Sequence, residues 1–127
     1  MVLFAEGTTG NGHRLLPFKS ALFAAPQMAL QQAGLEKVSV QPVAIAYNTL
    51  HGMPLGRYHQ PLAAWPGDVG LTPHLLSFLR LGAFDVDVAF GEAIAFTAGT
   101  KRKEIATRAF GETRVLFARM RRLYHRS

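Results

Sequence analysis

The chain has 127 residues, of which 49% are hydrophobic, 17% are charged and none is cysteine. Those values describe one domain with enough apolar residues for a single core, and they exclude a disordered chain, a disulfide scaffold and a cysteine-ligated zinc site. Charge is lopsided: residues 101–127 hold nine Lys and Arg against two acids, while the first 100 hold five against six, so the formal net charge of +6 belongs to the tail. A local basic segment fits an anionic partner, either a membrane surface or a nucleic acid.

In chain order, residues 2–5 read as a short buried strand. The chain opens inside that strand, which leads us to expect a preceding segment. Residues 6–17 form a loop carrying Gly7, Gly10, Asn11 and Gly12. Residues 18–33 read as one or two helices, with Pro26 as a break or kink and Gly34 as the stop. Residues 37–47 are a β-branched run that Pro42, which lacks an N–H, must interrupt or bulge. Residues 48–70 read as a long surface connection. Thr72-Pro73 starts a helix that presents Leu75, Leu76 and Leu79 on one face and ends at Gly82. Residues 84–90 alternate strictly, which predicts a half-buried strand with Asp85 and Asp87 outward, and Gly91-Glu92 turns the chain. Residues 101–124 are helical, with Ile105, Ala109, Phe110, Phe117, Met120, Leu123 and Tyr124 as the apolar stripe and Gly111 as a break point. This order of elements predicts an α/β fold, a mostly parallel sheet flanked by helices, in one domain over 1–127 with a basic helical tail at 101–127. No helix-forming stretch is apolar for long enough to cross a bilayer, and no signal-peptide pattern follows Met1.

The candidate site is the turn Glu6-Gly7-Thr8-Thr9 with Lys19 beyond it. Ligands of open α/β sheets sit outside the carboxyl ends of strands, and this loop leaves such an end. Glu6 is suited to accept hydrogen bonds from substrate hydroxyls, while the loop amides and Lys19 suit an anion. A glycine-rich surface loop with a capping Glu is the competing reading. The histidines, at 13, 51, 59, 74 and 125, have no metal-ligand spacing, and only His13 lies near the loop.

The block Phe4-Ala5-Glu6-Gly7-Thr8-Thr9-Gly10 resembles the Phe-Pro-Glu-Gly-Thr-Arg-Ser block of the glycerolipid acyltransferases, the 1-acyl-sn-glycerol-3-phosphate acyltransferase family. Phe18-Lys19 is similar to the Phe-Lys that follows that block, and Val40-Gln41-Pro42-Val43-Ala44-Ile45 to the later Val-Pro-Val/Ile strand. Trp65-x-Gly67-Asp68, then a helix, then Val86-x-Val88-x-Phe90-Gly91-Glu92 resembles the closing segment. The resemblance runs along nearly the whole chain. Two departures stand out. Thr9 occupies the position of the family's Arg, which is associated with the acceptor phosphate, leaving Arg14 or Lys19 for any anion. The family's catalytic His-x4-Asp is absent: Phe18, Gly56, Ala64 and Leu79 stand five positions after the first four histidines.

The resemblance therefore implies the C-terminal portion of a membrane-associated phospholipid or glycerolipid acyltransferase. The intact enzyme would move an acyl chain from acyl-CoA or acyl carrier protein to a lysolipid such as 1-acylglycerol-3-phosphate. This portion alone would be inactive and hold no catalytic residue, metal or bound cofactor. It would contact substrate through Glu6, Gly7, Thr8, Thr9 and Lys19. It would lie peripherally at the cytoplasmic face of the membrane, hold anionic lipid through the basic helix, and associate with the missing N-terminal half or with itself. A non-catalytic lipid- or partner-binding module is the alternative. A nucleic-acid partner is not expected, because the basic residues lack a nucleic-acid-binding motif and stacking aromatics on a strand.

Overall fold

A computed structural model describes residues 1–8, 10, 12, 14–56, 59, 63 and 71–124, with the backbone alone for Leu71 and His74. Thr9, His13, Trp65, Gly67, Asp68 and His125, singled out above, lie outside the described residues, as does most of the connection before the second helix. A 3-10 turn, Ser20–Phe23, runs into helix α1, Ala24–Ala33. Strands β1 (Lys37–Val40), β2 (Val43–Leu50) and β3 (Met53–Pro54) follow. Then come α2 (Leu71–Leu81), β4 (Phe84–Phe90), β5 (Ile94–Thr97) and the 23-residue α3 (Arg102–Tyr124).

Among the described residues every strand pairing is antiparallel, which corrects the expected parallel sheet. β1 pairs with β5, and β2 with β4 and with the two-residue β3. The two principal pairings form one long antiparallel ribbon, with β1 and β2 on one side and β4 and β5 on the other. The ribbon folds at a corner where Pro42 faces Gly91. From Val40↔Ile94 to Val43↔Phe90 the chain advances three residues on one side and four on the other, so the register slips by one. Pro42 has no N–H to give, but its carbonyl accepts the Gly91 N–H at 2.8 Å, and Gln41 Nε2 donates to the Gly91 carbonyl at 3.2 Å. The alternation of strand and helix along a chain does not require right-handed parallel crossovers when strands pair as a hairpin-like ribbon. The turn expected at Gly91-Glu92 leads into β5, which pairs with β1 to make the second half of the ribbon.

Helix α3 holds both halves of the ribbon. Its buried residues, Ile105, Ala106, Ala109, Thr113 and Met120, recur at three- and four-residue steps and so form one stripe. The amino-terminal half of the stripe joins Phe23, Leu30, Ile94 and Phe96 in the larger core. The carboxyl-terminal half puts Met120, Leu116 and Phe117 against Ala44, Ala46 and Ala89 in the smaller one. Phe23, Phe96 and Ile105 are at most 1% exposed, and each stabilises the fold by roughly 1.5–3 kcal/mol on leaving water. The buried Thr113 hydroxyl is satisfied inside the helix, donating to the Ala109 carbonyl at 2.8 Å. Gly111 does not break α3. A helical glycine costs about 1 kcal/mol relative to alanine, and packing along both flanks outweighs it. Glu104 in the first turn and Arg121 and Arg122 in the last complement the helix dipole.

Other readings change as well. Residues 2–5 form no strand: Val2 and Phe4 are 81% and 80% exposed and only Ala5 is buried. A four-residue strand is unstable without a ladder partner, and the described strands are paired elsewhere. Pro26 does not kink α1. It occupies the third helical position, where a missing N–H breaks no helical hydrogen bond. Gly34 ends the helix in the left-handed region, as expected. The run read as a surface connection begins later, because Asn48, Thr49 and Leu50 complete β2.

Most consequential is the orientation of β4. Asp85 and Asp87 lie on the α3 side of the sheet, where Asp87 is half-buried while Asp85 remains exposed, as expected. Thr49 Oγ1 donates to Asp85, Asn48 Nδ2 donates to Asp87, and both donors are buried. A bulge at Asn48, between the pairs Tyr47↔Val86 and Thr49↔Asp85, turns both side chains toward α3. Tyr124, near the end of α3, also hydrogen-bonds Asp87. That bond, then the carboxylate's charge, partial burial and Asp85, raise the phenol pKa above its ordinary value. The group's contribution to stability is therefore intact below the ordinary phenol pKa and is lost as pH rises through the raised one. Among the described residues no buried side-chain nitrogen or oxygen lacks a partner.

The corner yields a direct test. A Cβ on Gly91 would sit 3.3 Å from Leu116 Cδ1, 3.4 Å from Pro42 Cβ and 3.5 Å from the Pro42 carbonyl oxygen. Gly91→Ala should lower the unfolding free energy by about 1–3 kcal/mol in urea denaturation. Gly99→Ala, which meets open space, should stay within about 0.5 kcal/mol of the unmodified chain. Equal effects at the two positions would show that the corner is not close-packed.

Candidate functional site

The loop after Ala5 is tied at its base. The Gly7 N–H reaches the Phe4 carbonyl at 3.0 Å, and the Lys19 N–H reaches the Ala5 carbonyl at 2.8 Å. The Glu6 carboxylate accepts the Leu16 N–H through Oε2 at 2.8 Å, across ten residues. Gly7 has φ +63°, and a Cβ there would lie 2.9 Å from Lys19 Cδ, so the lysine stem passes directly over it. Two of the residues singled out in the sequence are thus brought together, Gly7 under the stem of Lys19. Glu6 closes the loop by a hydrogen bond from one carboxylate oxygen.

The closed loop walls a cleft of about 140 Å³ lined by Glu6, Gly10, Gly12, Arg14, Leu15, Ile45, Tyr47 and Phe117. Of the expected contact residues that are described, only Glu6 lines it. Gly7, Thr8 and Lys19 are exposed beside it. Arg14, named as a substitute cation, does line it. Ile45, Tyr47 and Phe117 were not legible as site residues. They come from β2 and α3, far along the chain, and their β-branched and aromatic character reads equally well as core. The cleft combines a carboxylate, a guanidinium and a phenol hydroxyl with apolar walls, which suits a ligand carrying both charges on a hydrocarbon body.

Of the histidines whose side chains are described, His51 and His59, neither lines the cleft. His51 sits at the β2–β3 turn with φ +52°, against Gly82. Among the described residues no group of three or more His, Cys, Asp or Glu is placed to hold a metal ion. No helix among them is long and apolar enough to cross a membrane.

The Glu6 contact gives the loop a measurable dependence. Glu6→Ala should leave the Leu16 amide without its acceptor, speed its hydrogen exchange at least tenfold and cost roughly 1–3 kcal/mol of stability. Unchanged exchange at Leu16 would remove the structural role assigned to this carboxylate.

Comparison with known proteins adds the chemistry. No family model matches the chain, and no solved structure does. Curated proteins do. A lyso-ornithine lipid O-acyltransferase of Brucella abortus is 57% identical over 116 residues, which is 91% of this chain and 43% of that protein. One of Rhizobium meliloti is 56% identical over 106 residues, covering 84% of this chain and 36% of the relative. One of Rhodobacter capsulatus is 34% identical over 110 residues, again 84% and 36%. The chain spans about two fifths of the length of these relatives. With such identity along almost all of its own length, the chain belongs to the lysolipid acyltransferase family and corresponds to one part of that family's sequence.

Proposed function

We propose that this sequence forms the acceptor-binding part of an acyltransferase that esterifies the free hydroxyl of lyso-ornithine lipid. The observation that carries this reading is the 57% identity over 91% of the chain with the Brucella abortus protein of that name. In the reaction the acceptor hydroxyl oxygen attacks the carbonyl carbon of an acyl thioester. The C–O ester bond forms, the C–S bond breaks, the hydroxyl proton passes to a general base and the thiol leaves. The donor is acyl-CoA or acyl carrier protein. Among the described residues lining the cleft there is no histidine to act as that base.

Two features support an amino-acid headgroup over a phosphate such as that of 1-acylglycerol-3-phosphate. Thr9 stands where the family pattern carries Arg, and the described lining of the cleft offers one cation, Arg14, and one anion, Glu6. An ornithine headgroup presents a carboxylate and an ammonium, which suit Arg14 and the second oxygen of Glu6 respectively. A chimera tests the proposal: the Brucella abortus relative with its matched 116 residues replaced by this chain's. It should acylate lyso-ornithine lipid in preference to 1-acylglycerol-3-phosphate, with either donor. Arg14→Gln should raise KM for lyso-ornithine lipid about tenfold or more, one hydrogen-bonded charge pair being worth about 1.5–3 kcal/mol. Preference for the phosphate acceptor, or indifference to Arg14→Gln, would count against the assignment.

A second observation supports peripheral attachment to the cytoplasmic face of a membrane. Lys103, Arg108, Arg114, Arg119 and Arg122 are all exposed along α3, with Leu123 69% exposed beside the last of them. Arg121 is excluded from this set because it lies over the Phe117 ring at 5.7 Å. Each exposed cation near an anionic surface contributes about 1 kcal/mol, screened over a Debye length of about 8 Å at physiological salt. The 127-residue chain should sediment with phosphatidylglycerol vesicles and be released by salt. Changing Arg108, Arg114, Arg119 and Arg122 together to Glu should abolish the binding. Equal binding to neutral phosphatidylcholine vesicles would defeat this account. If vesicle binding survives while the chimera is inactive, the non-catalytic lipid-binding alternative gains.

A further inference from the structure

The sheet of β2 and β4 has its polarity reversed from that of a one-sided sheet. Its inner face, under α3, carries Ala44, Ala46, Asn48, Thr49, Asp85, Asp87 and Ala89, which are small or polar. Its outer face carries the large apolar residues in direct register: Val43 opposite Phe90 and Ile45 opposite Val88, with Val86 opposite Tyr47. Those residues stand open, Val43 at 40%, Ile45 at 49%, Val86 at 43%, Val88 at 49% and Phe90 at 65% exposure. Helix α2 meets the far end, where Phe78 stacks on Phe84 at 4.7 Å and Phe84 meets Tyr47 edge-on at 6.5 Å. An antiparallel sheet with one wet face puts polar residues on that face, whereas apolar residues on the outer face mark a sheet built to be covered on both sides.

We infer that this outer face is the seat of the part of the acyltransferase that the relatives carry outside the matched region, and that this part closes the Glu6–Arg14 cleft from the β2 side. The inference rests on the acyltransferase reading above. Three observations select this occupant. More than half of each relative lies outside the region shared with this chain, enough for a further layer. Ile45 and Tyr47 belong both to the outer face and to the lining of the cleft, so whatever covers the face also walls the site. Among the described residues no strand pairs with β2 over residues 43–47 on the side away from β4, since β3 pairs only with Thr49 and Leu50, so strand addition and face burial meet at one place. A bilayer is a poorer occupant, because the cations of α3 that would hold it lie on the opposite side of the sheet.

The test compares two contexts, the 127-residue chain by itself and the Brucella abortus chimera. Ile45→Lys and Val88→Lys are made singly in each. Both positions are half-exposed in the chain alone, so its melting temperature should move by no more than about 2 °C there. In the chimera each Lys should be forced into an apolar layer, lowering the melting temperature by roughly 5–10 °C and reducing acylation at least tenfold. Effects equally small in both contexts would overturn the inference. So would a chain that dimerises by itself and is made monomeric by Ile45→Lys, which would assign the face to a second copy. An active chimera indifferent to both substitutions removes the interface and leaves the proposed function standing. A folded, inactive chimera destabilised by both removes the function and leaves the interface.

Discussion

The fold depends on one stripe of α3. Helices of 23 residues are about 35 Å long, and this one is the only element described that reaches both halves of the bent ribbon. Ile105, Ala106 and Ala109 seal the β1–β5 half with Phe23 and Phe96, and Met120 seals the β2–β4 half over Ala44 and Ala46. Neither half could be independently stable, because a two-stranded ribbon buries too little apolar surface. The pairing at Pro42 and Gly91 lets the ribbon bend so that both halves lie along the same helix, and it brings Gly91 close against Leu116.

The same stripe explains the reversed polarity of the sheet. A helix packed closely on β2 and β4 leaves room for alanines beneath it. At its end the gap is filled by hydrogen bonds among Asn48, Thr49, Asp85, Asp87 and Tyr124. Each carboxylate there has a donor, so the buried Asn48 and Thr49 side chains are satisfied, and the network fixes the helix end against the bulge. The cost is that the valines and isoleucine of both strands are turned to the other face, where the described chain offers only Phe78 of α2 to meet them.

Site and fold meet at the loop of residues 6–16. Its glycines and the Glu6 hydrogen bond shape the chain's side of the cleft, while Ile45, Tyr47 and Phe117 supply the other walls. The cleft is therefore a product of the β2 edge as much as of the loop. A headgroup bound there would lie beside the exposed apolar face of β2 and β4.

Local features were legible from the residues themselves. The stop at Gly34, the interruption at Pro42, the alternation over 84–90 and the apolar stripe of α3 all follow from backbone freedom, a missing N–H or periodicity, none of which requires a distant partner. The Glu-Gly-Thr block and the strand motifs around Pro42 likewise pointed to the acyltransferase family that the relatives bear out. Tertiary structure decided the rest. Period-two alternation says that Asp85 and Asp87 share a face but not that the face is the buried one, which depends on Asn48, Thr49 and Tyr124 arriving from elsewhere in the chain. Strand direction is decided by which edges meet, so the antiparallel ribbon was hidden behind an apparent βαβ order. Residues 2–5 have the composition of a strand and no ladder to join, and a strand exists only where another chain segment satisfies its backbone.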